Sequence, residues 1–500
     1  MLAKLDFLRF RVLVTVFLAL GACRPVPPAA PIPDADPRVA RVLAGLRPTV
    51  EAKGEDPVRW TLAERMARYR TPGVSIAVVD GGRIAWALGF GVKEAGGNDL
   101  VTPTTLFQAA SISKPVAALA TLRLVGEGTL SLDANVNDSL KSWKVPDNEL
   151  TQKEKVTLRR IMSHTAGLTV HGFEGFASGE PLPTMLQILD GLKPAKNAPV
   201  RVEAVPGSRS QYSGGGTTVM QLLVSEVTGM PYPELLDKTV LKPIGMTHST
   251  FEQPLPAALA PQAAAAHDEA GAMLPGKWHT YPMTAPAGLW TTPSDLARLI
   301  LEVQNTYAGK SSRVVNQSSM RQMLTVVLPP YGLGFSLEGT GQNLRFSHNG
   351  SNDGYRAALT GYAERGQGAV VMMNASNPEL LFEVVRAIAT EYRWPDKFSK
   401  EVEAVRLTPE QIARVVGDYR LTAAPEVTVH IVNDGGTMYI YANGDQRTRL
   451  LPTSDSTFVP ISGNVDVRAV FEGAGPARKI VLRGGAYEAV RVIADDSALD

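Results

Sequence analysis

The stretch FQAASISKPVAALATLRL, residues 107–124, decides how this chain is read. Proline has no N–H to give a helix interior, whereas the first turn leaves those groups without intrahelical acceptors. Pro115 therefore predicts a helix that starts near Ser111. Val116, Leu119 and Leu122 follow at helical spacing and carry the segment into a core. Ser111 and Lys114, three apart, share one face at the positive end of the helix dipole. A serine hydroxyl becomes a useful nucleophile when a neighbouring base takes its proton, and a lysine beside it helps lower the cost of that transfer. The same residues also suit a plain N-cap by Ser111 or Ser113, so the stretch alone leaves both readings open.

The rest of the chain narrows the choice. With 500 residues and 44% hydrophobic content there is apolar material for one large domain and a smaller one. The 50 basic residues nearly cancel the 49 acidic ones, and no dense Lys/Arg run suggests a nucleic-acid groove. A small-molecule or short-peptide substrate is the expected partner. Nothing in the sequence fixes the oligomeric state.

Early and late in the chain, PGVSIAVVDGGRIAWALGFG (72–91) and YRAALTGYAERGQGAVVMMN (355–374) each give two β-rich runs around a turn. PELLFEVVRAIATEYRW (378–394) follows with Leu381, Val384, Val385, Ile388 and Tyr392 on one helical face. The region between, roughly 105–310, is mostly helical in pattern. The expected fold is α+β: an antiparallel sheet flanked by helices, with a mostly helical subdomain. Beyond TPEQIARVVGDYRL (408–421), short β-rich runs separated by Asn/Asp/Gly turns predict a small C-terminal antiparallel β-barrel. The expected boundaries are a large α+β domain over 51–395, a linker over 396–408 and the barrel over 409–495.

Two further motifs stand in register with the first. PGSRSQYSGGGTTVMQLLVSEVTGMPYPELL (206–236) contains Tyr212, and FSHNGSNDGYRAAL (346–359) contains His348, Asn349, Gly350 and Ser351. Together the three resemble the motifs of serine β-lactamases, penicillin-binding peptidases and related esterases and D-aminopeptidases, in their class C-like branch. LRRIMSHTAGL (158–168), LKPIGMTHSTF (241–251), AGLWTTPSDLARLI (287–300) and YGLGF (331–335) look like that family's connecting segments, so the likeness spans about residues 60–390. It implies a β-lactamase/transpeptidase-like fold, with the C-terminal barrel similar to the lipocalin-like modules appended to such hydrolases. It also implies roles. Ser111 attacks a carbonyl, Lys114 and Tyr212 share proton transfer, and His348 adds a polar group across the cleft. The backbone N–H groups of Ser111 and Ser351 hold the oxyanion, and Gly350 leaves space for the acyl group. Whether Lys114 or Tyr212 takes the proton stays open, because tyrosine is protonated at neutral pH unless its surroundings favour phenolate.

The chain departs from the family pattern at two places. Gly214 stands where an asparagine amide usually meets the substrate, which predicts a lost contact and open room. His348 replaces a lysine, so a positive charge for a substrate carboxylate is expected to depend on pH. Both changes point to an acyl-enzyme hydrolase of esters or amides, with a class C-like β-lactamase and a catalytically inactive binding or scaffolding lipoprotein as the alternatives. No cofactor is expected. His171, His248, His267, His279 and His430 form no HxH or HExxH grouping, so no metal site is expected, and His164 reads as structural. Asp353 and Arg356 read equally well as cleft rim or as a solvated pair.

At the N-terminus, Lys4, Arg9 and Arg11 precede the apolar run VLVTVFLALGA (12–22), which reads as an export signal over residues 1–22. LGAC (20–23) resembles the lipobox of bacterial lipoproteins, which implies lipidation of Cys23 and a membrane attachment in the bacterial envelope. Arg24 after that cysteine suggests an outer-membrane location facing the periplasm. RPVPPAAPIPDADP (24–37) extends from it, and a proline-rich tether is expected over 23–50.

Overall fold

The computed structural model describes residues 36–396, 398–443, 446–463 and 465–492. The export signal, Cys23 and the first part of the tether lie outside the described residues. The chain divides into two compact units: Leu62–Lys397 with the helix Pro37–Leu43, and Ala44–Thr61 with the chain from Phe398 onward.

The first unit is built on a six-stranded antiparallel sheet. Its strands are β1 (Gly73–Asp80), β2 (Arg83–Gly91), β3 (Ser336–Glu338), β4 (Arg345–Asn352), β5 (Tyr355–Tyr362) and β6 (Gly368–Met373), in the order β2-β1-β6-β5-β4-β3. The Asp80-Gly81-Gly82 turn makes the first hairpin, with Gly81 and Gly82 both at positive φ. Every residue from Gly73 to Val79 is buried, which is why β1 shows no alternation. Ala77, Val79, Val370 and Met372 share a core with Leu296, Leu299, Ile300 and Val303 of the helix Pro293–Tyr307. Thr292 caps that helix and Pro293 opens it. The helix Glu379–Glu391 packs on β5 and β6. Helices between Ser113 and Ala287 form the mostly helical subdomain, and the expected architecture is found.

The second unit contains a closed barrel of eight antiparallel strands between Gly417 and Arg491. Tyr419, Ile431, Leu450, Phe458, Val467 and Ile480 fill its core. Val50–Ala52 pairs in parallel with Lys400–Val402, and Val50 packs with Leu451 and Ile461.

Those last contacts correct two expected boundaries. The tether does not extend to residue 50: Pro37–Leu43 is a helix whose Val39 and Val42 are each 1% exposed. Arg38 bonds Asp80 at 3.0 Å and Arg41 bonds Glu391 at 2.8 Å, which ties the helix to the first unit. Residues 51–61, expected in the large α+β domain, and 400–402, expected as linker, both belong to the second unit. Helical spacing of Val39 and Val42 was the available signal, masked by the prolines just before it.

Candidate active site

Ser111 sits on the short 3-10 turn Ala110–Ile112, and the α-helix proper runs from Ser113 to Gly126. The α-helix, expected to start near Ser111, therefore begins just after the nucleophile candidate. Ser113 explains the offset: its Oγ donates to Ala110 O at 2.5 Å and accepts from Leu289 N at 3.0 Å, pinning the turn to the neighbouring segment. Ala110 holds φ +50, a left-handed conformation that an L-residue adopts at a cost of order 1 kcal/mol and that surrounding contacts must maintain.

Lys114, 4% exposed, donates from Nζ to Ser111 Oγ at 3.0 Å and to Pro286 O at 2.9 Å. Burial pushes its ammonium down to about 7. Its Nζ also lies 4.8 Å from the centroid of the Tyr212 ring. Ser111 pulls the Tyr212 phenol down, yet burial outweighs that and pushes it up to about 12. Serine, lysine and tyrosine thus converge from two helices, with the tyrosine two residues before Gly214–Thr228.

Tyr212 is held by His164, a residue expected to be structural. Gln211 N donates to His164 O at 2.7 Å, and Ser213 N donates to His164 Nδ1 at 3.2 Å. Accepting at Nδ1 leaves the imidazole proton on Nε2, and burial keeps the ring neutral by lowering its pKa well below the ordinary value. The His164 ring lies 4.3 Å from the Tyr212 ring and 4.8 Å from that of Tyr331. Tyr331 escaped the sequence reading, although it opens the quoted YGLGF segment.

On β4, His348 is buried and its Nδ1 lies 2.7 Å from Asn349 O, so Nδ1 carries the proton and Nε2 is an acceptor. Nε2 is itself buried without a partner. Burial, reinforced by Lys114, depresses His348 to about 3. The pH-dependent charge expected at this position is thereby moved to acidic conditions, and the ring is neutral at neutral pH. Asn349 and Ser351 alternate onto an exposed face, so Ser351 serves through its backbone. Asn352 and Tyr355 close the hairpin around Asp353 and Gly354. With that pair hydrogen-bonded, alternation along an antiparallel ladder turns the Ser351 N–H away from β5. It then faces the Ala110–Ile112 turn, against which β4 packs.

Gly350 is required by the fold itself: a Cβ there would stand 2.1 Å from Ala109 O, so the backbone before Ser111 excludes a side chain. Gly214 differs from expectation. A Cβ at this position would meet Phe173 Cε2 at 3.0 Å and His171 O at 3.3 Å, so the place of the missing asparagine is occupied by an aromatic ring. Phe173 lies 41 residues upstream of Gly214, and only folding brings the two together.

The Beta-lactamase family model matches residues 58–391, two thirds of the chain. The chain belongs to the β-lactamase family. Protein flp of Staphylococcus aureus (strain N315) is 26% identical over 332 residues, covering 64% of this chain and 63% of that protein. The match thus spans less than two thirds of that relative. Esterase EstB of Burkholderia gladioli is 31% identical over 199 residues, 38% of this chain and 49% of the esterase. Among solved structures, the octameric penicillin-binding protein homologue from Pyrococcus abyssi aligns with TM-score 0.58 at 22% identity, covering 86% of this chain and 98% of that one. The β-lactamase fold, with mixed helices and sheet and an added barrel, is the scaffold of a hydrolase family.

Proposed function

We propose that this protein is a serine hydrolase that cleaves esters or amides through an acyl-enzyme on Ser111. The observation that carries the reading is the buried Lys114 amine, 3.0 Å from Ser111 Oγ and with its pKa lowered to about 7. Half of it is neutral at neutral pH, matched to general-base work. Neutral Lys114 accepts the Ser111 proton while Oγ bonds to the carbonyl carbon, and the negative charge moves to the carbonyl oxygen. The N–H groups of Ser111 and Ser351 stabilise that charge. The lysine proton then passes to the departing oxygen or nitrogen, with the Tyr212 hydroxyl as its route, and the bond to the leaving group breaks. Water repeats the sequence and frees Ser111.

Two features favour esters and peptides over β-lactams. A neutral His348 offers no cation to a lactam carboxylate, and Phe173 stands where an amide would hold the acyl chain. Each deficit is worth roughly 1 kcal/mol, so about thirtyfold in kcat/KM together. Comparing a p-nitrophenyl ester, a D-alanyl p-nitroanilide and a chromogenic cephalosporin in one buffer tests this. A cephalosporin value above both others makes β-lactamase the better description, and absence of all turnover favours a binding or scaffolding role. The sequence LGAC (20–23) supports attachment of the enzyme to the bacterial envelope, in the outer membrane facing the periplasm, through a lipid on Cys23.

A further inference from the structure

Residues 171–175 and strand β4 run from the nucleophile to a carboxylate. At the near end, His171 Nδ1 lies 2.5 Å from Tyr212 O. At the far end, Gly175 N donates to Asp353 Oδ2 at 3.4 Å. Strand β4 covers the same interval, from His348 through Gly350 and Ser351 to Asp353 just beyond its last residue. With a strand rise of about 3.3 Å per residue, Asp353 follows the oxyanion N–H of Ser351 by roughly 7 Å of chain. Near Ser111 the wall is apolar, because the Phe173 ring covers Gly214 and packs on the cluster of Phe176, Tyr281 and Met283.

The far end is a fixed anion. Asp353 Oδ2 lies 2.8 Å from His279 Nδ1 and 3.0 Å from the donating Tyr281 hydroxyl, besides Gly175 N. Tyr281 is 1% exposed and its oxygen also accepts from Asp353 N at 3.0 Å, so the carboxylate cannot turn freely. Burial alone would raise the Asp353 carboxyl, but His279 and Tyr281 outweigh it and hold the group below its ordinary value. All three donors use Oδ2. Oδ1 takes none of them, and the side chain is 48% exposed. A rigid carboxylate with one oxygen satisfied and the other presented is a preorganised acceptor for a cation. A residue needed only for the hairpin would have no reason to be oriented by a buried tyrosine from a distant segment.

We propose that Asp353 Oδ1 binds a protonated amine on the acyl portion of the substrate. The preferred substrates are then acyl donors with an amino group a few bonds from the scissile carbonyl: amino-acid esters and anilides, and peptides with a free N-terminus. This rests on Ser111 being the nucleophile, and it makes Asp353 a specificity-determining residue.

The test uses the full chain and three anilides matched in size: alanine p-nitroanilide as each enantiomer, propionyl p-nitroanilide and N-acetylalanine p-nitroanilide. p-Nitrophenyl acetate reports the Ser111 chemistry separately. The wild type should favour the free amine over both neutral anilides by tenfold or more in kcat/KM, and Asp353→Asn should bring that ratio close to one. A wild type that cleaves the acetate without preferring the amine overturns the proposal and leaves the hydrolase intact, as does a preference that survives Asp353→Asn. Absence of all turnover overturns both. Should Asp353→Asn not fold, inhibition of wild-type acetate hydrolysis reads the same site. Propylamine should inhibit at concentrations at least tenfold below propanol, and equal inhibition contradicts the proposal.

Discussion

Lys114 is an expensive residue to bury, and its cost is its use. Taking an ammonium out of water disfavours the charged form, which moves this group from the usual lysine range to about 7. Tyr212 moves the opposite way, to about 12, by the same burial. The two opposite shifts are the reason Lys114 is proposed as the base in place of Tyr212. Below its pKa Lys114 is protonated and cannot accept from Ser111, so kcat/KM for a neutral ester should rise about tenfold per pH unit up to pH ~7 and level off above it. A rise that continues toward pH 12 would make Tyr212 phenolate the base instead. The pairing of Ser111 with Lys114 was legible in residue type and short spacing, whereas Tyr212, far along the chain, was reached only through the resemblance of its motif. The neutrality of His348 was not legible, because it depends on burial among groups far apart in the chain.

The elements around the site are shaped by close backbone approaches. Helix Gly214–Thr228 starts with three glycines although glycine is a poor helix former, since Ser213 caps it and neighbouring segments leave no room. The Gly214–Phe173 contact makes a specific demand. Gly214→Asn alone should destabilise the fold by about 1–3 kcal/mol through overpacking against the ring. Adding Phe173→Ala should recover more than half of the part due to Gly214→Asn, relative to Phe173→Ala alone. Thermal denaturation of the two single variants and the double variant gives the coupling, and strict additivity would contradict the contact. Strands and helices of the sheet were readable from periodicity and turn residues such as Asp80-Gly81-Gly82. The ring over Gly214 was not, since Phe173 lies in an irregular segment that carries no periodic signal.

For the whole molecule, the instructive element is the helix Pro37–Leu43. Proline-rich sequence hides its start, yet Val39 and Val42 are buried against the hydrolase unit while the following residues join the other unit. Removing residues 1–35 should leave thermal stability and turnover of the purified protein nearly unchanged. Removing 1–45 should cost about 3–5 kcal/mol, from the burial of Val39 and Val42 alone, and should lower Tm by several degrees. Equal stability of the two truncations would show that the helix contributes nothing. Cys23→Ala in the full chain should move the protein from the detergent phase to the aqueous phase, and unchanged partitioning would remove the lipid anchor from this account.

The central claim is a covalent acyl group on Ser111, and mass spectrometry of the enzyme quenched with acid during turnover of a p-nitrophenyl ester tests it most directly. The expected result is a mass increase equal to the acyl group, confined to the peptide that contains Ser111 and absent from Ser111→Ala. Steady turnover by Ser111→Ala at the wild-type rate, or an adduct on any other residue, would contradict it.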